Sequence, residues 1–298
     1  MIYVKNKTSS SCGPVLARIF SVSVIDEFAS KGRSPLAAAI LKEAGVLKEF
    51  DPATLLRDFF DQIHSLLFRN YRNEYIYKNA IARKILLGVH SLKTASMLTE
   101  LRAGACKADA VVLNGTSTVY EIKSAYDSME RLTRQIAAYR QVFDRINVIT
   151  SDSQLNKVSG VVSDDIGLMV LTDRYTISTV REPSSCRKTV RPVIIFDSLR
   201  RNEYKQIVKE QFGEVPQVSN ARMYQVCREI FSGLDPATAH DAMVSVLKKR
   251  DNSKRLQDFV LSMPESLTAT SLSCKLGVAE QARFSQLLNT PIGACLNS

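Results

Sequence analysis

Two short runs, Lys107-Ala108-Asp109-Ala110-Val111-Val112-Leu113-Asn114-Gly115 and Thr118-Val119-Tyr120-Glu121-Ile122-Lys123-Ser124, constrain this chain more than anything else in it. Each is an apolar or β-branched run of strand length. The Asn114-Gly115 pair between them tolerates positive φ, so the two read as strands around a turn. Strands of this composition bury their flanks, yet these carry Asp109, Glu121 and Lys123. Ionised groups on buried strands are costly unless paired or bound to metal. Two acids with a lysine two residues beyond the second are what a magnesium-dependent, phosphodiester-cleaving site needs.

Glu121 and Lys123, at i and i+2, share a strand face. Whether Asp109 joins them depends on the turn. A two-residue turn at Asn114-Gly115 would pair position 109 with 120 and turn Asp109 away. A three-residue loop over 113–115, with Gly115 left-handed and a bulge, restores the common face. The odd loop, or an equivalent bulge, is therefore the expectation.

Carboxylate oxygens are the hard ligands that Mg²⁺ or Mn²⁺ prefers. Asp109, Glu121 and the backbone carbonyl of Ile122 are the expected metal ligands, and the ion would polarise a phosphate and lower the pKa of bound water. Lys123 would orient or help deprotonate the attacking water and offset charge on phosphorus. Glu74 shares a helical stripe with Tyr77, Ile81 and Ile85 and is a candidate to reach the same cluster, with Glu100 as its rival. Gln135 and Tyr139, one turn apart, are candidates to bind substrate or position the lysine. The plainer reading is that they complete the packing of their helix. Glu-x-Lys alone is a weak signal, since surface ion pairs produce it often.

Around these strands the periodicities set the order helix, three strands, helix, strand. Ser34-Pro35 opens a helix to 47, and Asp51-Pro52 another over 54–70. A helix over 71–87 stops at Gly88. Strands over 97–103, 108–113 and Ser117–Lys123 precede a helix over 129–143 with Asp127-Ser128 as its N-cap. The strand Arg145–Thr150 and two more over 167–172 and 175–180 follow. The stretch 181–209, rich in Arg and Lys, reads as a basic connector running into a helix. The remainder is mostly helical, with breaks at 213–216, 233–236 and Pro264. The fold class is α/β, with an N-terminal helical extension (1–70), a core (71–182), and a basic connector with a helical C-terminal region (183–298). Within the last, 271–289 fits a helix-turn-helix that would turn Gln281, Arg283 and Gln286 to a groove. With a single basic residue on the reading helix, an ordinary helical hairpin fits better.

Composition bears on partners. The 298 residues carry a formal charge of +10, which favours polyanions through counterion release. With 45% hydrophobic and 23% charged residues, the chain is globular rather than disordered. No apolar run approaches the roughly 20 residues of a membrane span, and residues 1–11 hold no apolar signal core. The six cysteines form no Cys-x-x-Cys pair and the three histidines are isolated, so zinc is not expected. A reducing, cytoplasmic compartment is expected, with no membrane partner.

The order of elements, with the residues they carry, resembles the PD-(D/E)XK, or restriction-endonuclease-like, nuclease superfamily. The carriers are Glu74, Asp109, Glu121-Ile122-Lys123 and the helix motif Arg134-Gln135-Ile136-Ala137-Ala138-Tyr139, across 71–151, about a quarter of the chain. Tyr120 to Ser124 with Asp127 and Arg131-Leu132 looks like an uncharacterised bacterial branch often found near mobile elements. The resemblance implies an α-β-β-β-α-β mixed sheet flanked by helices, divalent-metal dependence, and hydrolysis of nucleic acid, DNA foremost. It directs Arg131, Arg134 and Tyr139 toward substrate and allows a homodimer. The Pro-Asp doublet of the superfamily is absent, Ala108 preceding Asp109, but the acid and not the proline is the ligand. The alternative is a non-cleaving nucleic-acid-binding or regulatory protein on the same fold, which would bind DNA in a salt-sensitive way indifferent to EDTA. A third reading makes the acids and Lys123 only a buried ion-pair network, so that Glu121→Ala destabilises without catalytic consequence.

Overall fold

The computed structural model describes residues 12–250 and 254–296. Residues 1–83 with 254–298 form one compact unit and residues 84–253 another. This replaces the expected division at 70 and 182. The C-terminal helices fold with the N-terminal ones, while the helices between 192 and 248 fold with the sheet. Periodicity gives each helix an apolar stripe, but not the identity of the stripe it meets. The sequence up to Ser34 reads as a short extended start, but its described residues are helical, with helices at Gly13–Ala17 and Val22–Lys31, the second burying Val24, Ile25, Phe28 and Ala29; residues 1–11 lie outside the described ones.

In the helical unit, Ser34 caps the helix Pro35–Glu43 by accepting the Ala37 N–H, with Pro35 in the first turn. The helix Leu56–Asn70 buries Leu56, Phe59, Phe60, Ile63 and Leu67. The two ends of the chain are stitched together here. Leu56 N–H donates to the Thr290 carbonyl, Ile292 N–H to that of Thr54, and the Thr270 hydroxyl to that of Phe20. The helix expected over 71–87 begins later, at Glu74, because Asn73 is still extended; it runs to Ala80 and continues as a π-helical stretch, Ile81–Leu86, within which the two units divide. The helices Thr268–Ser273 and Val278–Leu287 exist, but not as a groove reader. Gln281 is buried, and the Arg283 guanidinium donates to the carbonyls of Ala29 and Ser30.

The second unit is mixed α/β. Its six strands, β1 (Ser96–Ala103), β2 (Cys106–Leu113), β3 (Ser117–Lys123), β4 (Arg145–Thr150), β5 (Gly167–Leu171) and β6 (Ile177–Arg181), lie side by side in chain order. The pairs β1–β2, β2–β3 and β5–β6 are antiparallel, and β3–β4 and β4–β5 parallel. A parallel pair needs a crossover, and α1 (Leu132–Tyr139) lies on the one between β3 and β4. β3 is buried at every residue but Thr118, as a central strand covered on both faces should be. Val111, Leu113, Val119 and Val148 share one apolar core with Leu132, Ile136, Tyr139 and Phe143. That core extends into α2 (Pro192–Ser198), α3 (Arg201–Phe212), α4 (Asn220–Ser232) and α5 (Pro236–Lys248).

Two expectations shift in this unit. The basic connector over 181–209 holds a helix of its own, α2, before α3. Pro192 stands in its first turn, where a missing N–H is no loss. The helix expected over 129–143 shortens to α1 because Asp127 does not cap it. The Asp127 carboxylate turns back on Ser124 instead, accepting its N–H at 2.8 Å and its hydroxyl at 2.6 Å. Among the described residues, no helix is long and apolar enough to cross a membrane.

Candidate active site

The turn between β2 and β3 decides which side chains meet. Ala110 pairs with Tyr120, Val111 with Val119, Val112 with Thr118, and Leu113 with Ser117. The loop is therefore Asn114 to Thr116, closed by the Asn114 N–H on the Thr116 carbonyl at 3.0 Å, with Gly115 at φ +69. The expected odd loop is present one residue further along, with no register shift in the ladder. An L side chain rarely adopts that φ, which is why the position takes glycine. One more step along this register sets Asp109 opposite Glu121, and residues directly opposite share a face.

The ladder itself ends at Ala110–Tyr120, and the Asp109 side chain takes over. Its Oδ2 accepts the Ile122 N–H at 2.8 Å. Since the N–H and C=O of a strand residue leave on the same side, the Ile122 carbonyl faces Asp109 as well. Lys123 Nζ donates to Glu121 Oε1 at 2.7 Å and to Gln135 Oε1 at 3.0 Å. The other Glu121 oxygen accepts from the Tyr139 hydroxyl at 2.7 Å, and that hydroxyl also lies 2.8 Å from the Lys107 carbonyl. Thr150, beside Lys123 in the parallel register, donates to the Lys123 carbonyl at 2.6 Å. Glu121 is 1% exposed and Lys123 5%, so each buried charge is satisfied by the other and by a neutral partner. Burial, followed by the Glu121 charge, pushes the Tyr139 phenol far above its ordinary range. Tyr139 thus stays protonated and donates.

The remaining candidates sort as follows. Gln135 and Tyr139 both act on charged groups of the cluster, so the geometry gives them positioning roles, and the Tyr139 hydroxyl is turned inward rather than toward a substrate. Arg131 and Arg134 are exposed at the start of α1, neither paired with an acid among the described residues. Glu74 belongs to the helical unit, at the first position of its helix, where Lys78 one turn on pairs with it. Glu100, its rival, sits on β1 where the register would place it across from Asp109; it has φ +55, and carboxylate oxygens of the two lie within 4.8 Å. A non-glycine residue in that region of backbone space is strained. Nothing in the sequence signals this conformation. Thr150 was also missed, because only the β3–β4 register reveals it.

A second buried polar network lies at the opposite end of β3. Ser117 Oγ and His240 Nε2 are 2.8 Å apart, His240 Nδ1 is 3.1 Å from Asp241, and Ser117 Oγ accepts the Asp144 N–H at 3.0 Å. The order Ser-His-Asp suggests nucleophilic chemistry, but Ser117 and His240 are both fully buried. The network instead ties α5 to the start of β3, with Arg187 bound to Asp241 on its outer side. Burial lowers the His240 pKa, so the ring is neutral near pH 7.

The sheet, the crossover helix and the buried acid–lysine cluster define a mixed α/β protein with an ionisable site at its centre. The family model for bacteriophage P4 protein cII matches residues 68–273, more than half of the chain, and the chain belongs to that family. Protein cII of Enterobacteria phage P4 is 32% identical over 63 residues, 21% of this chain and 24% of that protein. The chain thus aligns with about a quarter of the length of that curated relative. A solved protein of unknown function from Silicibacter pomeroyi is 15% identical, with a TM-score of 0.31 over 47% of this chain and 92% of that one. That likeness is too slight to bear on the fold.

Proposed function

We propose that the Asp109–Glu121–Lys123 cluster is the site of a divalent-metal-dependent nuclease on a restriction-endonuclease-like core. The observation that carries this reading is the bond from the Ile122 N–H to Asp109 Oδ2. It brings a second carboxylate to the backbone between Glu121 and Lys123, on the face they occupy. The donor set suits Mg²⁺ or Mn²⁺: two carboxylates and the Ile122 carbonyl are hard oxygen ligands. A carboxylate offers about four lone-pair sites, and Lys123 and Tyr139 engage one on each Glu121 oxygen, which leaves lone pairs for an ion. Such an ion would supply charge stabilisation at the phosphoryl group and a more acidic bound water.

The chain's own groups do the rest. Gln135 and Glu121 hold two of the three Lys123 N–H bonds, which leaves the third for a water or a phosphate oxygen. Tyr139 fixes the rotamer of Glu121. Arg131 and Arg134, exposed and without acid partners among the described residues, suit the phosphates of a polyanion, in keeping with the +10 charge. DNA is the expected substrate, and the phage source of the P4 relative suits a setting on mobile elements. The test is incubation of the full chain with linear, circular, single-stranded and branched DNA, and with RNA, in Mg²⁺, Mn²⁺ or EDTA. Metal-dependent cleavage is expected, falling about 100-fold or more in Asp109→Ala and Glu121→Gln. Cleavage that survives both substitutions ends the nuclease reading. Salt-sensitive binding without turnover, indifferent to EDTA, favours the non-cleaving alternative.

A further inference from the structure

We propose that Arg102 and Lys107 together hold a backbone phosphate next to the one being cut, so that the substrate is a nucleotide chain with a charged phosphate at that neighbouring position. The inference rests on the nuclease reading and adds a substrate contact outside the acid–lysine cluster. The two residues stand directly opposite each other in the β1–β2 ladder, where side chains share a face. The turn between these strands is Gly104-Ala105, with Gly104 at φ +58, and it closes on the pair Ala103–Cys106. By alternation the next pair, Arg102–Lys107, is a non-hydrogen-bonded one, whose Cα atoms lie about 4.5 Å apart and whose side chains come closest. Like charges directly opposite are destabilising, so the fold alone argues against this pair.

Both side chains are exposed, and neither is paired with an acid among the described residues. The acid that Arg102 acts on electrostatically, Asp197, is already engaged by Arg228 Nε at 2.8 Å, Arg228 Nη2 at 3.1 Å and the Tyr224 hydroxyl at 2.7 Å. Arg102 Nε donates to the Gly104 carbonyl at 3.1 Å, which fixes the guanidinium at the turn and leaves its terminal nitrogens for a ligand. Lys107 is tied to the cluster through its backbone. A single hydroxyl, that of Tyr139, lies 2.8 Å from the Lys107 carbonyl and 2.7 Å from Glu121 Oε2. Lys107 is also two residues along β2 from Asp109, about 7 Å of strand. A guanidinium takes a phosphate through parallel N–H bonds and an ammonium takes it as a point charge. A phosphate between them turns the repulsion of the empty pair into two attractions.

The test is fluorescence anisotropy of labelled DNA, duplex and single-stranded, titrated with the full chain in EDTA, where cleavage is halted, over a range of salt concentrations. Arg102→Gln combined with Lys107→Gln should flatten the plot of log affinity against log salt by about 0.9 on duplex or about 0.7 on a single strand, the counterions of one phosphate. Arg102→Lys, which keeps the charge, should keep the slope. A methylphosphonate removes the charge of one phosphate; scanned along the DNA, it should weaken binding by the parent chain at a position to which the double variant is indifferent. The double variant should melt no lower than the parent, since the repulsion is gone. An unchanged slope leaves the pair idle, and a double variant that melts well below the parent assigns it to the fold; either overturns the proposal. A flattened slope with no metal-dependent cleavage by the parent chain leaves the phosphate site standing and ends the nuclease reading. Metal-dependent cleavage by the parent chain, with an unchanged slope in the double variant, does the reverse.

Discussion

Lys123→Met keeps the length of the side chain and removes the ammonium, leaving Glu121 with the Tyr139 hydroxyl alone. The two charged side chains are 7% and 1% exposed, so solvent does little to screen the carboxylate left behind. Removing one partner of such a pair costs about 3–5 kcal/mol, against about 0–1 for an exposed pair. The double variant Glu121→Gln with Lys123→Met removes both charges and should recover most of that loss, giving a coupling of about 2 kcal/mol or more in a double-mutant cycle. The assay is urea unfolding of the full chain in EDTA, read by hydrogen exchange at the amides of β3 and β4, since two compact units need not unfold together. Added Mg²⁺ separates a ligand set from an ion-pair network. At a hundred times its Kd it should stabilise the parent chain by about 2.7 kcal/mol, and not Asp109→Ala. A Lys123→Met cost below about 1 kcal/mol would refute the buried pair, and no response to Mg²⁺ would leave the cluster as a structural network.

Tyr139→Phe deletes the hydroxyl that serves Glu121 and Lys107, and should cost about 1.5–3 kcal/mol by the same exchange measurement, with weakened metal binding; a change under about 0.5 kcal/mol would mean that neither acceptor depends on it. In the helical unit, burial lowers His64 to a pKa of about 4 from an ordinary 6.5. The folded state then binds fewer protons than the unfolded one between those values, so stability is complete above pH 6.5 and declines as pH falls toward 4, by at most about 3 kcal/mol. Melting temperatures of the parent chain and His64→Gln from pH 7 to 4 should diverge over that window, and parallel curves would contradict the argument.

The β2–β3 hairpin was legible because two independent rules agreed. Alternation set the strands, and the need for Asp109 and Glu121 to share a face demanded an odd loop. The loop's position slipped by one residue because Leu113 and Ser117 still pair, which neither rule specifies. Ser117–Lys123 and Arg145–Thr150 were found at their observed bounds, where apolar runs end abruptly at turn residues. What stayed hidden were contacts set by tertiary choice. Asp127 has the identity of an N-cap, but the Ser124 N–H and hydroxyl compete for it and win. In the sequence Pro192 reads as part of a connector, although a proline in the first turn opens a helix as readily as one in mid-helix breaks it. That helices after 254 pair with those before 83 depends on which apolar stripes match in shape, and local pattern carries no such information.

The Glu121–Lys123 pair is itself an argument about purpose. Every residue of β3 but Thr118 is buried, and its neighbours Val119, Ile122, Val148 and Ile149 are aliphatic. Two aliphatic residues in place of the pair would pack against the same surroundings, and such replacements are often neutral or stabilising. The pair also draws in two further polar side chains, Gln135 and Tyr139, each of which would be unnecessary on an apolar strand. Stability alone therefore gives no reason for four polar side chains to converge on this buried strand. A register or switch role would need only one such residue. A site that must hold a cation and a proton-handling amine side by side, shielded from water, needs all of them. The Mg²⁺ stabilisation of the parent chain over Asp109→Ala is thus the measurement on which the choice between structure and chemistry turns.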